Sequence, residues 1–436
     1  MPRVALHTLG CKLNFAETST ITKQFVDRGF EVVEFGEPAD VCVINTCTVT
    51  QRADRECRQL IRRALRADRK PVVVVTGCYA QLEPEQIASI DGVDLVLGSR
   101  EKFTIFEYLP AAKAPALPRV HVSEISAATD FGPASSTEAG GRTRAFLKVQ
   151  DGCDYTCSFC TIPLARGESR SQSVEATMHQ ARMLVASGYR EIVLTGVNVG
   201  DYGRKDGTNL LTLLRGLAGI DGLARVRISS IEPNLLTREL LDFVAGNPVM
   251  CDHFHIPLQS GSDAVLRLMR RRYTSEDYAR LVARVKDRIP RAGVGADVIV
   301  GFPGETDKDF EQTYRFLTDL PISYLHVFTY SERPHTPAAR YTHRVGPEVR
   351  SRRNTMLRTL SEMKRNAFCR EHLGMTAPVL MESDVESGLR NGLTTNYIRV
   401  ALPAATTAAN EIIHVRLDTL RDGICEGTPV SQGRGR

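Results

Sequence analysis

Asp151-Gly152-Cys153-Asp154-Tyr155-Thr156-Cys157-Ser158-Phe159-Cys160 sets three cysteines at CxxxCxxC spacing on one short loop. Three thiolates can grip a metal centre but leave it one ligand short. A structural zinc closes its shell with four protein ligands, whereas a cubane iron–sulfur cluster held by three cysteines keeps one iron open to an outside ligand. No histidine stands close by to complete a zinc set, since the nearest are His121 and His179. A buried thiol group or a partial zinc knuckle is the competing reading, and the spacing favours the cluster.

Outward from this loop, strand and helix patterns alternate. Arg144-Ala145-Phe146-Leu147-Lys148-Val149 is a strand pattern that feeds the loop directly. After it come apolar runs at Ile192–Gly196, Val226–Ser229, His253–Ile256, Val298–Gly301 and Tyr324–Phe328, separated by helical patterns such as Ser173–Ala186, Leu210–Leu217 and Ser275–Ile289. Five or six such units predict a partial (β/α) barrel whose active-site mouth lies at the strand C-termini.

Upstream, three further strand patterns each end in a cysteine. Val4-Ala5-Leu6 leads to Cys11, Val41-Cys42-Val43-Ile44 leads to Cys47, and Val72-Val73-Val74-Val75 leads to Cys78, with helical patterns at Ala16–Arg28 and Ala53–Leu65 between them. Alternation of this kind predicts a parallel sheet with all strand C-termini along one edge, where ligands bind in open α/β sheets. Cys11, Cys47 and Cys78 would then converge. Singly each reads as a small buried residue; three matching placements favour a second three-cysteine cluster. Cys42, inside a strand, and Cys57, on a charged helix, do not share that placement and read as structural thiols.

The segment from Leu109 to Arg142 is rich in Ala, Pro, Gly, Ser and Thr and reads as a linker, although Arg119-Val120-His121-Val122 has a strand pattern. Beyond the Arg-rich helical run Arg350–Arg370, short β-like segments at Val379–Glu382, Leu393–Val400 and Ile412–Leu417 predict a small antiparallel barrel.

Length and composition bound the function. A chain of 436 residues, 42% hydrophobic and 25% charged, has material for two or three domains. No apolar run is long enough to span a bilayer and no signal-peptide core follows Met1, so the expectation is a cytoplasmic protein with no membrane partner. Eleven cysteines, an odd number, suit a reducing compartment and metal ligation better than disulfides. The net charge of +5 permits a nucleic-acid partner without demanding one.

Around the expected mouth, Gly196 and Asn198 could combine close backbone approach with side-chain hydrogen bonds, or form an ordinary β-to-α turn. Ile256-Pro257-Leu258-Gln259-Ser260-Gly261-Ser262 is polar and Gly-punctuated after a strand, which marks Gln259 and Ser260, with a plain N-cap at Ser262 as the alternative. Gly301–Thr306 and Tyr330–Pro334 occupy the same position after later strands. Arg166 and Arg170 lie near the cluster loop, where a guanidinium could fork to a carboxylate or phosphate, or pair with Glu168. Basic residues concentrate at Arg52–Lys70, at Arg350–Arg370 and at Arg270-Arg271-Arg272-Tyr273, each a candidate phosphate contact or a solvated face.

The CxxxCxxC loop, with Phe159 just before its last cysteine, resembles the signature of the radical S-adenosylmethionine (SAM) superfamily, in which the open iron is chelated by SAM. Together with Leu9-Gly10-Cys11-Lys12-Leu13-Asn14, Asn45-Thr46-Cys47 and Thr76-Gly77-Cys78-Tyr79-Ala80-Gln81, it resembles the tRNA methylthiotransferases over nearly the whole chain. The resemblance implies an α/β multidomain fold: an N-terminal parallel-sheet domain at 1–110, a linker at 111–141, a radical SAM barrel at 142–370 and a TRAM-like RNA-binding barrel at 371–436, of which Asn391–Val400 looks like a part.

It also implies two [4Fe-4S] clusters, one on Cys153, Cys157 and Cys160 that cleaves SAM and one on Cys11, Cys47 and Cys78 that delivers sulfur, with two SAM molecules used per turnover. Phe159, Gly196, Asn198, Gln259, Ser260 and Arg170 are the expected SAM-side contacts. The implied partners are a tRNA anticodon loop read single-stranded, a flavodoxin-type electron donor and a sulfur donor. The LGCKLN form and the Ala165–Ser171 segment look most like the branch that methylthiolates N6-threonylcarbamoyladenosine at tRNA position 37. Related branches act on isopentenyladenosine in tRNA or on an aspartate of a ribosomal protein, and a non-catalytic iron–sulfur RNA-binding or redox-sensing protein is the reading outside enzymes. His335, in Arg333-Pro334-His335-Thr336, stands where the family usually has glycine, which leaves the backbone there open.

Overall fold

The computed structural model describes residues 1–66, 70–110, 118–136 and 143–430. The N-terminal unit runs β1 (Arg3–Thr8), α1 (Lys12–Val26), β2 (Glu31–Val33), β3 (Val41–Thr46), α2 (Gln51–Leu65), β4 (Val72–Gly77), three short helices α3 (Cys78–Leu82), α4 (Pro84–Ala88) and α5 (Ile105–Tyr108), with β5 (Leu95–Leu97) between the last two, and β6 (Arg119–His121). Its strands form one parallel sheet in the order β2-β1-β3-β4-β5-β6. Every residue of β3 and β4 is buried, as two-sided helix cover requires and as their Val-rich runs foretold. The stretch read as linker supplies β6, because Arg119-Val120-His121 pairs with Leu95-Val96-Leu97 and extends the sheet. Residues 111–117 and 137–142 of that stretch lie outside the described residues.

The central unit is a half-barrel. β7 (Arg144–Lys148) is followed by the short hairpin pair β8 (Gln150–Asp151) and β9 (Arg170–Ser171), which flank the cysteine loop and helix α6 (Ile162–Arg166). Then α7 (Val174–Ala186), β10 (Glu191–Thr195), α8 (Leu210–Ala218), β11 (Arg225–Ile228), α9 (Arg238–Gly246), β12 (His253–His255), α10 (Asp263–Leu268), α11 (Ser275–Arg288), β13 (Gly293–Val300), α12 (Asp307–Asp319) and β14 (Tyr324–Thr329) alternate. Two parallel three-stranded sheets, β11-β10-β7 and β12-β13-β14, meet through single bridges at Val226–Met250 and Ser230–His255. One face of each strand packs on the helices: Ala145, Leu147, Ile192, Leu194, Val226 and Ile228 all belong to that core. The alternate residues face the concave side.

That concave side is not empty. Helix α1 of the N-terminal unit lies in it, with Phe15 edge-on to Phe146 at 5.6 Å and Ala16 packed with Phe146 and Val193. A second tie is Arg333, buried after β14, which donates to Asp54 at 2.6 Å and to Thr48 in the loop after Cys47.

Long helix α13 (Pro347–Arg370) leads to a closed barrel of β15 (Thr376–Glu386), β16 (Leu389–Thr394), β17 (Arg399–Pro403), β18 (Ile412–Arg421) and β19 (Ile424–Pro429), ordered β15-β16-β17-β19-β18. The run expected as one strand over Leu393–Val400 is split, because Tyr397 adopts φ 76° in a turn between β16 and β17. The barrel caps the strand N-termini of the half-barrel: Arg225 donates to the carbonyls of Leu393 and Pro378, and Arg227 to those of Thr394 and Thr395.

Candidate active site

The first cysteine set lies at the C-terminal edge of the half-barrel. The loop of Cys153, Cys157 and Cys160 is pinned by Cys153 N donating to Gly167 O and by Ser158 N donating to Met269 O. Burial pushes the thiols of Cys153 and Cys160 up to about 12 as free groups. A bound metal must therefore supply the charge that holds them as thiolates. Arg271 faces this set: its Nη1 donates to Cys157 Sγ at 3.0 Å, its Nε to Tyr273 Oη at 2.9 Å, and its Nη2 pairs with Glu232. Arg271 was expected among the phosphate contacts of the Arg270–Tyr273 run; the turn at Arg270, with φ 59°, swings it inward instead. Arg272 stacks over Tyr155, 4.0 Å from the ring centre.

The second set forms as the sheet order requires. Cys47 and Cys78 are buried at the ends of β3 and β4, and Cys11 is the N-cap of α1. Burial and the neighbouring Cys78 and Cys11 push Cys47 up to about 12. Cys11 is raised by burial and by Cys78, against the pull of Arg166, so the three thiols share one place. Cys11 is at once surrounded by protein and open to solvent-sized space, the condition of a side chain on a cavity wall. Gly10 permits the approach: at φ 100° its missing Cβ would stand 2.7 Å from Cys47 Cβ.

The donor geometry distinguishes cluster from single ion. Three sulfurs on one tetrahedral zinc would lie about 3.8 Å apart. Among the described residues no three of these thiols come within 4.8 Å of one another, whereas the corners of a four-iron cube spread their ligands wider. As they stand, neither set closes around a single ion, and the chemistry of the donors, three thiols with no fourth protein ligand among the described residues, suits a cluster with one open iron.

Between the sets runs a buried ion lattice of which sequence reading marked only Arg166, as a fork for a carboxylate or phosphate. Glu17 of α1 receives Lys102 at 2.6 Å, Lys148 at 3.2 Å and Arg166 at 2.9 Å; Asp151 receives Lys148 at 2.6 Å and Arg166 at 2.9 Å. Arg166 also donates to Asn14 Oδ1 at 2.6 Å. Burial opposes the charge on Glu17, but Arg166, Lys102 and Lys148 outweigh it and hold the carboxyl well below its usual range; Asp151 is lowered by Lys148 and Arg166 in the same way. The lattice joins the two cysteine-bearing units. Nothing in the α1 sequence flags Glu17, since a lone acid on a helix usually faces water.

A cavity of about 310 Å³ opens beside the Cys160 loop, lined by Phe159, Cys160 and Thr161, by Val49 and Thr50 after Cys47, by Gln259 after β12 and by Asp297 within β13. Of the residues expected to meet SAM, Phe159 and Gln259 line it. Gly196 lies where a Cβ would sit 2.9 Å from Gln150 Oε1, and Asn198 donates its N–H to the same oxygen. Asn198 Nδ2, Thr195 Oγ1 and Ser229 Oγ, at the ends of β10 and β11, are buried without hydrogen-bond partners among the described residues, polar atoms such as a bound polar ligand would satisfy. Ser260 and Arg170 are not brought to the cavity. Ser260 bonds Thr313 and the Ser262 N–H, and Arg170 spends its guanidinium on the carbonyls of Arg166, Glu168 and Asp130. His335 adopts φ 67°, so the left-handed turn associated with glycine persists with a histidine.

Deeper in the half-barrel, His255, Asp297 and His326 sit on adjacent strands, with His255 Nε2 2.9 Å and His326 Nδ1 3.4 Å from Asp297 Oδ1. Burial would raise Asp297, but the two histidines outweigh it and lower it.

Comparison with known proteins agrees with this arrangement. Residues 147–317 match the radical SAM superfamily and residues 3–98 match "Uncharacterized protein family UPF0004". The threonylcarbamoyladenosine tRNA methylthiotransferase MtaB of Bacillus subtilis is 40% identical over 100% of this chain and 96% of its own length. The chain belongs to the tRNA methylthiotransferase family. The methylthiotransferase MtaB of Aquifex aeolicus is also 40% identical, over 91% of this chain and 96% of its own. In fold, this methylthiotransferase is similar to the radical SAM methyltransferase TsrM of Kitasatospora setae, with TM-score 0.54 and 17% identity over 94% of this chain and 84% of that one. A member of this family with a radical SAM domain, it is an enzyme that uses an iron–sulfur cluster and SAM as cofactors. No helix among the described residues is long and apolar enough to cross a membrane.

Proposed function

We propose that this methylthiotransferase converts N6-threonylcarbamoyladenosine beside the tRNA anticodon to its 2-methylthio derivative. The carrying observation is that two three-thiol sets, each one ligand short of a closed site, are held on two units tied together by the Glu17–Arg166 pair, with a cavity beside them lined by Cys160 of one set and by Val49 and Thr50, which follow Cys47 of the other. In this reading Cys153, Cys157 and Cys160 hold one [4Fe-4S] cluster and Cys11, Cys47 and Cys78 the other. The clusters and two SAM molecules supply the chemistry, a methyl group on sulfur and a hydrogen-abstracting adenosyl radical.

The chain's own residues do the rest. Arg271 hydrogen-bonds the Cys157 sulfur, which neutralises charge on that side and fixes the loop. Glu17 and Arg166 lock the two cluster-bearing units at a set spacing. Phe159 and Gln259 wall the cavity, while Thr195, Asn198 and Ser229 offer unspent hydrogen-bonding groups to SAM. The exposed arginines of α2 (Arg52, Arg55, Arg62, Arg63) and Arg66 at its C-cap form a phosphate-facing surface. A flavodoxin-type protein supplies electrons and a separate donor supplies sulfur.

The branch rests on the LGCKLN motif and on the named activity of the two relatives at 40% identity. Mass spectrometry of tRNA nucleosides from cells with and without the gene tests it. Loss of 2-methylthio-N6-threonylcarbamoyladenosine alone is expected; loss of the methylthio-isopentenyl nucleoside, or no change in tRNA, refutes the assignment.

A further inference from the structure

The concave side of the half-barrel holds a group that no step above uses. Lys12 is the first residue of α1, and Phe15 and Ala16, three and four positions on, share its helix face. Those two pack on Phe146 of β7 and Val193 of β10. Glu17, further along, meets Lys148 at the end of β7. The helix thus runs against the strand direction, which carries Lys12 toward the strand starts, where alternation sets Arg144, Glu191, Arg225 and Arg227 on the same concave face. Tyr397 arrives there from the capping barrel, stacked 4.4 Å from the ring of His253 and 5.2 Å beneath Arg227. Burial, with Arg144 and Arg227, lowers the Lys12 ammonium from its ordinary value, while Tyr397 and Glu191 nearby support it, and an incoming carboxylate would support it further.

The charges here do not cancel. Arg144 is committed to Glu382 at 2.7 Å, and Arg227 to Glu191 at 2.7 Å, with Arg225 3.5 Å from the same carboxylate. Lys12 has no hydrogen bond or ion pair among the described residues and is open to solvent-sized space. Among the described residues, the ion pairs of Lys12, Arg144, Arg225 and Arg227 are therefore with Glu191 and Glu382 alone. Burial opposes ionisation of Tyr397, yet Lys12, Arg144 and Arg227 outweigh it and hold the phenol below its ordinary value, as the charge count from the contacts requires. A hydrocarbon substituent gains nothing beside four cations, whereas a carboxylate gains a charge-assisted partner in Lys12, the one of the four whose N–H groups are unspent among the described residues.

We infer that Lys12, with Tyr397 beside it, binds the carboxylate of the modified adenine's N6 substituent, so that the residue next to the cluster ligand Cys11 selects an anionic substrate. This rests on the proposed threonylcarbamoyl substrate and says which residue reads it. The adenine ring would then lie between the cavity at the Cys160 loop and the Lys12 pocket, its reacting edge toward the cysteine sets.

The test uses full-length reconstituted enzyme and synthetic anticodon stem-loops carrying N6-threonylcarbamoyladenosine or its methyl ester, which keeps shape and removes the charge. Affinity without SAM and kcat/KM with SAM are both read. Wild type is expected to favour the acid over the ester by about thirtyfold or more. Lys12→Met at matched iron content is expected to lose that preference by losing the acid, and Lys12→Arg to retain most of it. A Lys12→Met enzyme that still prefers the acid overturns the role of Lys12 while leaving the substrate reading intact. Wild type that treats acid and ester alike overturns the inference without any variant. Wild type that modifies neither, but modifies an isopentenyladenosine stem-loop, overturns the substrate reading and the inference with it.

Discussion

Glu17→Gln keeps the shape of its side chain and deletes the charge that Lys102, Lys148 and Arg166 share. The side chains of Glu17, Lys102 and Lys148 are 0% exposed and that of Arg166 is 1% exposed, so water cannot take over the lost interaction. In the variant, three buried cations face Asp151 alone. Breaking a buried ion pair from one side costs about 3–5 kcal/mol. At about 2–4 °C per kcal/mol for a domain of this size, the thermal midpoint should fall by roughly 6–20 °C. Calorimetry of the cluster-free protein measures this directly, with Lys23→Ala as the control. Lys23 pairs with Asp27 at 2.8 Å on the exposed side of the same helix, where removal costs no more than about 0.5 kcal/mol. Should Glu17→Gln unfold within about 2 °C of wild type, the lattice is not what holds α1 in the half-barrel.

Acid dependence should separate the same lattice from ordinary surface charge. The carboxyls of Glu17 and Asp151 are held below their unfolded values of about 4, so their contribution is present in full above that pH and lost as the pH falls through the depressed values. The gap in midpoint between wild type and Glu17→Gln should be constant from pH 5 to 8 and shrink below about pH 4; a gap unchanged at pH 3 contradicts the ionised lattice. Arg271→Ala removes a donor from Cys157 and leaves Glu232 unpaired, so the reduction potential of the cluster on that loop should become more negative. An EPR-monitored redox titration that shows no shift, or a positive one, removes that role. Arg333→Ala should loosen the joint between the loop after Cys47 and the half-barrel, which limited proteolysis in the region of Thr48 to Asp54 would register; protection equal to wild type counts against it.

The architecture was legible where periodicity is strong. Val-rich runs ending in Cys47 and Cys78 announced buried parallel strands, and strand C-termini in such a sheet share one edge, so convergence of the three thiols followed from topology alone. Strand-splitting at Tyr397 was not legible, because a tyrosine at φ 76° is a tertiary outcome that no local propensity favours. The site divided in the same way. Phe159 and Gln259 reached the cavity because loop position after a strand fixes them, while Ser260 one residue later turned to Thr313. Arg170 turned to backbone carbonyls and Arg271, in the run marked beside the mouth, to the Cys157 sulfur, since a guanidinium's partner depends on which way its turn bends. Glu17, Lys102 and Lys148 come from segments far apart in sequence, and only the packed domains reveal that they meet.

Iron and sulfide content per chain, with Mössbauer spectra of the anaerobically reconstituted protein, bears most directly on the pairing of two three-thiol sets. Two clusters require about eight irons in wild type, about four when Cys11, Cys47 and Cys78 are all replaced by alanine, and about four when Cys153, Cys157 and Cys160 are, each remaining cluster showing one site-differentiated iron. A wild-type chain that saturates at about four irons, or a triple variant of either set that still holds about eight, contradicts it.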